Sequence, residues 1–443
     1  MTLLAHGIGG AADLPIPSTY ALIGGAWALT FSFAVIAVAW REPRLDPDSP
    51  GRALPAPLRA LCDSRALRTV LGVLAVAAVL LTLAIGFFGD RDPARNAAPG
   101  IVYIYLWVGV PVVSLVLGPV WKIVSPVRAL HRLWCRISGR DPDHGLLRYR
   151  ESWGFRPAAL GLFSFVWLEL ASPDPGSVPA VTGWLLAYLV IGTVGLVLFG
   201  TVWAERADPF EVYSSLLGRL SPLARRTDST PILRSPLDSL AGTPALAGSV
   251  AVAATLLGST AFDSFTTFPV WRNLVDDLGG GSAATATLVR TAGLLAFIVI
   301  VGALFTAAAQ ATGGLTRAER SRLPIRLAHS LTPVIAGYVV AHYLTFLVEK
   351  GQATLLLLLA DPFGRGWALL GDARVAYVLS THPAVLGSIK VLAVLTGHIL
   401  GVTAAHDMCL RLLPRAHRLT GQLALMLVMV GFTFLGLYLL FES

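Results

Sequence analysis

The sequence predicts an all-α protein, a polytopic membrane bundle of about ten transmembrane helices forming a single domain over 1–443. Three observations predict it. Apolar runs of about 20 residues recur along the chain, the length a helix needs to cross a hydrocarbon core roughly 30 Å thick. Of the 443 residues 55% are hydrophobic and only 14% charged, with a mean hydropathy of +0.69, whereas a soluble domain carries roughly 25% charged residues. Lysines and arginines gather in alternate loops between the runs. Alternating ten-residue strands are absent, which argues against an outer-membrane barrel.

The runs place spans at 19–40, 69–88, 101–121, 157–172, 181–203, 245–265, 286–311, 328–349, 385–412 and 421–441. With the N-terminus outside, the loops 41–68, 122–156, 204–244, 312–327 and 411–419 hold 26 of the 34 Lys and Arg. The positive-inside rule then sets both termini outside and makes the chain a multi-pass protein of the cell membrane. It also accounts for the net charge of +8 without a nucleic-acid partner; the partners expected are the lipid bilayer and a small lipophilic substrate. Cys62, Cys135 and Cys409 lie on or near the basic side, form no CxxC pair and read as reduced structural thiols. The N-terminal stretch lacks the basic and apolar regions of a cleaved signal peptide.

Taken in order, the first basic loop is rich in Pro and Arg and ends in a short helix. The third span contains Pro111, Gly118 and Pro119, which predict a kinked or broken helix. Ser125-Pro126 and Ser235-Pro236 read as helix starts. The stretch 209–223 has amphipathic spacing and is expected at the inner membrane surface, with His131 and His144 in a solvated region. Glu169 ends the fourth span. Asp263 lies in the outer part of the sixth, within a polar run of Ser259, Thr260, Ser264, Thr266 and Thr267. The apolar part of 350–384 is too short to span and is expected to dip into the interface. No self-similarity joins 1–205 to 240–443, so no internal repeat argues for a transporter.

The functional signal is concentrated in 327–349 and 385–413, which carry His329, His342, His398 and His406. Ionisable groups inside a span are costly and face protein or water. Thirteen residues separate His329 from His342, about 20 Å of helix. Antiparallel passage then puts His342 and His398 at similar depth, in the middle or outer membrane, with His406 nearer the cytoplasm. At about 100° per residue, Tyr338, His342, Thr345 and Glu349 share a stripe. His398 shares its face with Gly387, Val391, Val394, Gly401 and Ala405, small enough for close helix approach. The expected site is therefore His342, His398, Tyr338 and Glu349.

Several chemistries fit. His342, His398, Asp263 and Glu349 are the donor types of zinc, manganese or iron, and a bound divalent metal would generate a nucleophilic hydroxide. The same groups suit a proton or ion path in a secondary transporter or permease. A single haem between His342 and His398 is a third reading; a two-haem ladder is not, since His329 and His342 are about 140° apart. The plain alternative is histidines hydrogen-bonding across helices. His6 is a further ligand if the N-terminus folds over the outer cavity. No GxSxG, P-loop or Rossmann fingerprint is present.

The strings LLAHGIGGAADLPIPSTYALIGGAWALTFSFAVIAVAWREPRL, LWVGVPVVSLVLGPVWKIVSPVRALHRL, FVWLEL, DPFEVYSSLLGRLSPL and GSTAFDSFTTFPVW resemble a family of actinobacterial integral membrane proteins that bears the label fenitrothion hydrolase. The resemblance covers most of the chain. It implies hydrolysis of an organophosphate triester, and with a metal at the site it implies a metal-dependent phosphotriester hydrolase. A lipophilic triester would partition into the bilayer, a metal-bound hydroxide would attack phosphorus, and Tyr338 would hydrogen-bond the phosphoryl oxygen or the leaving group.

Overall fold

The computed structural model describes residues 17–366 and 373–441; His6 lies outside them. The main helices are α1 (Ser18–Ala39), α2 (Arg65–Phe88), α3 (Ala97–Leu117), α4 (Pro126–Ser138), α5 (Arg156–Leu170), α6 (Val178–Phe199), α7 (Pro209–Gly218), α8 (Ser249–Phe265), α9 (Pro269–Gly279), α10 (Ala283–Gln310), α11 (Arg317–Ala360), α12 (Pro383–Leu412) and α13 (Thr420–Phe441). Among the described residues eight helices are long and apolar enough to cross a membrane: α1, α2, α3, α6, α10, α11, α12 and α13. The protein is an all-α, multi-pass membrane bundle.

Two expected spans are shorter than the rest. α5 has 15 residues and α8 has 17. Neither reaches 30 Å at 1.5 Å per residue. Helix α8 is buried along most of its length and packs on α10, α5, α11 and α13. A helix enclosed by protein does not have to match the bilayer in length.

Local chemistry sets the helix starts. Ser64, Ser125, Ser177 and Ser282 accept hydrogen bonds from the backbone N–H three residues on, opening α2, α4, α6 and α10. Thr316 and Glu319 form a capping box at the start of α11. The third span is interrupted as Pro111 and Gly118 predict. Its first half is π-helical over Ile101–Gly109, and it ends at Gly118, whose φ of 82° favours glycine.

Three placements differ from expectation. The stretch 209–223 does not lie on the membrane surface: α7 is buried and joins an aromatic cluster of Trp107, Phe165, Trp184, Tyr188, Phe210 and Tyr213. Its amphipathic stripe faces the core because Glu211, fully buried, meets Arg128 of α4 through two hydrogen bonds of 2.5 and 2.6 Å. His131 is likewise buried, 3.5 Å from the Cys135 sulfur, while His144 is exposed beside Asp141. The apolar run of 351–360 does not turn away as a separate dip. It continues α11 through a π-helical turn at Phe346–Lys350.

At the basic end the loops are joined. Strands β1 (Arg52–Ala53), β2 (Leu223–Arg225) and β3 (Pro231–Leu233) form an antiparallel sheet in the order β1-β3-β2, and Arg225 holds Asp63 at 2.7 Å. Asp407 of α12 accepts from the Trp40 indole and from the backbone N–H of Arg44 and Leu45 at 3.1, 2.6 and 3.2 Å. His406 sits between the Trp40 carbonyl and Gln422 Oε1, both at 2.8 Å. All three cysteines are free thiols.

Removing one member of the Arg128–Glu211 pair strands the other charge in the core. Glu211→Ala is expected to destabilise the protein by about 3–5 kcal/mol, read as loss of the folded fraction in detergent thermal melts. Arg128→Met with Glu211→Leu is expected to recover much of that loss. Burial, and then the charge of Glu211, push the Asp208 carboxyl up to about 6. The folded state therefore holds that proton more tightly than the unfolded chain, and stability falls as pH rises from the ordinary carboxylate range through about 6. Asp208→Asn should flatten this part of a melting-temperature profile against pH.

Candidate functional site

The centre of the candidate site is a hydrogen-bonded contact between α8 and α11. His342 Nε2 lies 2.8 Å from Asp263 Oδ2, and both residues are buried. Asp263 is one turn from the end of α8. There Thr266 and Thr267 donate their hydroxyls to the carbonyls of Asp263 and Ser264, so two of the polar-run residues close the helix end. The other imidazole nitrogen, Nδ1, is 3.5 Å from Ser264 Oγ. A carboxylate accepts from Nε2–H, which leaves Nδ1 as the lone-pair nitrogen facing the serine hydroxyl.

Next to this pair stands a residue that sequence reasoning missed. The Tyr343 ring is 4.6 Å from the His342 ring, edge to face. It is buried, as are the carboxylate residues Asp263 and Glu169. Glu169 stands at the end of α5, and Tyr103 of the π-helical segment is buried as well. Tyr343 has no signature in the sequence, because an aromatic next to a histidine reads as ordinary core. Its importance comes from three helices meeting.

The two histidines expected to meet are not hydrogen-bonded to each other. α11 and α12 do pack closely, as the small face of α12 predicts. A Cβ added at Gly337 would meet the Ala393 carbonyl at 2.5 Å, and one at Gly401 would meet the Ser330 carbonyl at 2.7 Å. His398 is fully buried there, with Nδ1 2.9 Å from the Val394 carbonyl and Nε2 without a hydrogen-bond partner. Its ring meets Tyr338, at 5.8 Å between centroids. Tyr338 in turn donates its hydroxyl to the Phe432 carbonyl of α13 at 3.1 Å.

Glu349 is placed elsewhere. The π-helical turn at Phe346–Lys350 takes more residues per turn than an α-helix, so the phase shared by Tyr338 and His342 does not carry through it. The Glu349 carboxylate is taken up by the chain at 379–380, accepting from the N–H groups of Leu379 and Ser380 at 3.0 and 2.8 Å and from the Ser380 hydroxyl. Among the described residues, no three of His, Cys, Asp and Glu are grouped to hold a metal ion. The expected set of His342, His398, Asp263 and Glu349 is thus divided among three places. A haem between His342 and His398 does not fit either, because Asp263 holds one and Tyr338 lies on the other.

A cleft opens beside the pair, lined by Ser264, His342 and Tyr338 with Thr260, Val301 and Leu435. These come from α8, α10, α11 and α13, and Leu435 is exposed on the outer face of the bundle. The cleft therefore opens toward the outside of the bundle. Gly436 makes room for Tyr338: a Cβ there would lie 1.3 Å from the phenol oxygen.

Gly436→Ala is accordingly expected to displace Tyr338 and destabilise the protein by about 1–3 kcal/mol, the usual range for overpacking. Adding Tyr338→Phe, which removes the clashing oxygen, should recover part of that loss in the same melt.

No protein-family profile, no curated protein and no solved structure matches this chain.

Proposed function

We propose that the protein is a membrane-embedded hydrolase of lipophilic esters, organophosphate-type triesters included, working in the cell membrane with both termini outside. The observation that supports this most directly is the buried Asp263–His342 contact with a serine hydroxyl at the second imidazole nitrogen. That is the carboxylate–imidazole–hydroxyl order of an activated nucleophile. A spacing of 3.5 Å is loose for proton transfer, but such contacts tighten once substrate is bound.

In this reading His342 Nδ1 takes the Ser264 proton as Oγ bonds to the acyl carbon or to phosphorus. Asp263 holds the ring and stabilises the imidazolium formed. The imidazolium then returns the proton to the departing oxygen. Water, deprotonated by the same nitrogen, releases the acyl or phosphoryl group from Ser264. The apolar lining of the cleft and its outlook on the bilayer suit a substrate already dissolved in lipid.

A second reading is favoured by Tyr343, which is buried, as are Asp263 and Glu169. A run of buried titratable groups is also what a proton-coupled transporter uses.

Purified protein in lipid nanodiscs would be assayed with p-nitrophenyl acyl and phosphotriester substrates and with a fluorophosphonate probe. His342→Ala and Asp263→Asn are expected to lower kcat by about 10²–10⁴-fold. Ser264→Ala should abolish probe labelling, whereas Glu349→Gln should leave kcat unchanged. A folded wild type that neither hydrolyses nor labels would overturn the proposal, and substrate-dependent proton flux in liposomes would then establish the transporter.

A further inference from the structure

Helix α4 lies against two membrane-crossing helices near their basic ends. A Cβ added at Gly192 of α6 would meet Val127 at 3.2 Å, and one at Gly72 of α2 would meet Ala129 at 3.3 Å. Gly72 is seven residues from the start of α2, and Gly192 is seven from the end of α6. Each contact is therefore about 10 Å in along its helix. Two separate helices thus give the first turn of α4 the same depth. An interfacial helix rests at about this depth, roughly 5–10 Å into the boundary between headgroups and acyl chains.

The helix has three faces. Val127, His131 and Cys135 share one and are buried. Leu130, Leu133, Trp134 and Ile137 share a second, at the spacing of a continuous helical stripe. All four are exposed, Ile137 at 78%. Arg128, Arg132 and Arg136 share the third, about 150° round the helix from the apolar stripe. Arg128 turns inward to Glu211. Arg132 and Arg136 are exposed, and among the described residues neither forms an ion pair. Arg140, just beyond the helix, sets its guanidinium 5.3 Å over the Trp134 ring. The acids that follow in the chain are taken: Asp141 is held by His144 at 2.7 Å, and Asp143 accepts from the Thr201 hydroxyl at 2.6 Å.

We infer that α4 is an interfacial helix that recognises the acidic phospholipids of the leaflet at the basic end. Its apolar stripe lies among the acyl chains, and Arg132, Arg136 and Arg140 reach the headgroup phosphates. Depth, stripe and charge agree on this occupant. A second copy of the chain meeting the same face would bring like charges together. A zwitterionic leaflet accepts the stripe but leaves the charge of the arginines uncompensated.

The test places a bimane fluorophore on Ile137→Cys in the full chain, with Cys62→Ser, held in lipid nanodiscs. Cys135 and Cys409 are buried and do not compete for the label. The fluorophore should be quenched by nitroxide-bearing lipid and shielded from iodide in the water. At equal mole fraction, nitroxide phosphatidylglycerol should quench more strongly than nitroxide phosphatidylcholine. Adding Arg136→Gln should lower that preference about fivefold, the factor for one basic residue at a membrane surface. Ile137 and Arg136 are both exposed, so neither change disturbs the core. Stronger quenching by iodide than by lipid would overturn the inference. So would shielding from both quenchers, which marks a protein partner on the stripe. Equal quenching by the two lipids, or a preference unchanged in Arg136→Gln, would overturn it as well.

Discussion

The buried pair between Arg128 and Glu211 is the contact on which the interior depends. A carboxylate with no exposed surface is stabilised by a fixed cation, and α4 supplies it in Arg128. The pair draws α7 out of the place its amphipathic pattern suggests and sets it among the aromatic side chains of α3, α5 and α6. α7 then supports α5, which ends at Glu169, and packs on α11, which carries His342 and Tyr343. A charge at the basic end thus fixes the platform beneath the polar cluster.

Much of this was legible in the sequence. Length and hydropathy are local properties, and they identify the long spans directly. His342 and Asp263 stand out because ionisable residues inside spans are rare. The sequence grouped them as candidate ligands of one site, but their direct contact, with His398 and Glu349 left apart, was not legible, because which helices are neighbours is decided by packing along their whole length. The phase argument failed at Glu349 for a definite reason: one π-helical turn resets the angle, and nothing in FLVEK announces it. α7 misled in another way. An apolar stripe beside a polar one describes a helix on a membrane and equally a helix whose polar residue is met inside a core.

The polar cluster shows how a bundle concentrates chemistry without a sequence motif. Asp263 and Ser264 are adjacent in the chain, yet they approach different nitrogens of the same imidazole. Two neighbouring helix positions therefore frame one ring from both sides. Tyr343 follows His342 directly and sets its ring edge to face against the imidazole. The four side chains come from two consecutive pairs, so placement within each pair is a property of helix geometry and the distance between α8 and α11 is set by packing.

The small sheet β1-β3-β2 has a consequence for motion. It joins the loop after α1 to the loop after α7, and Asp407 fastens the same region to α12. Alternating access requires the two faces of a bundle to part in turn. Here two loops of one face are joined by backbone hydrogen bonds, so parting them would have to break a sheet. The same contacts make α12, the loop after α1 and the loop after α7 one mechanical unit at the basic end.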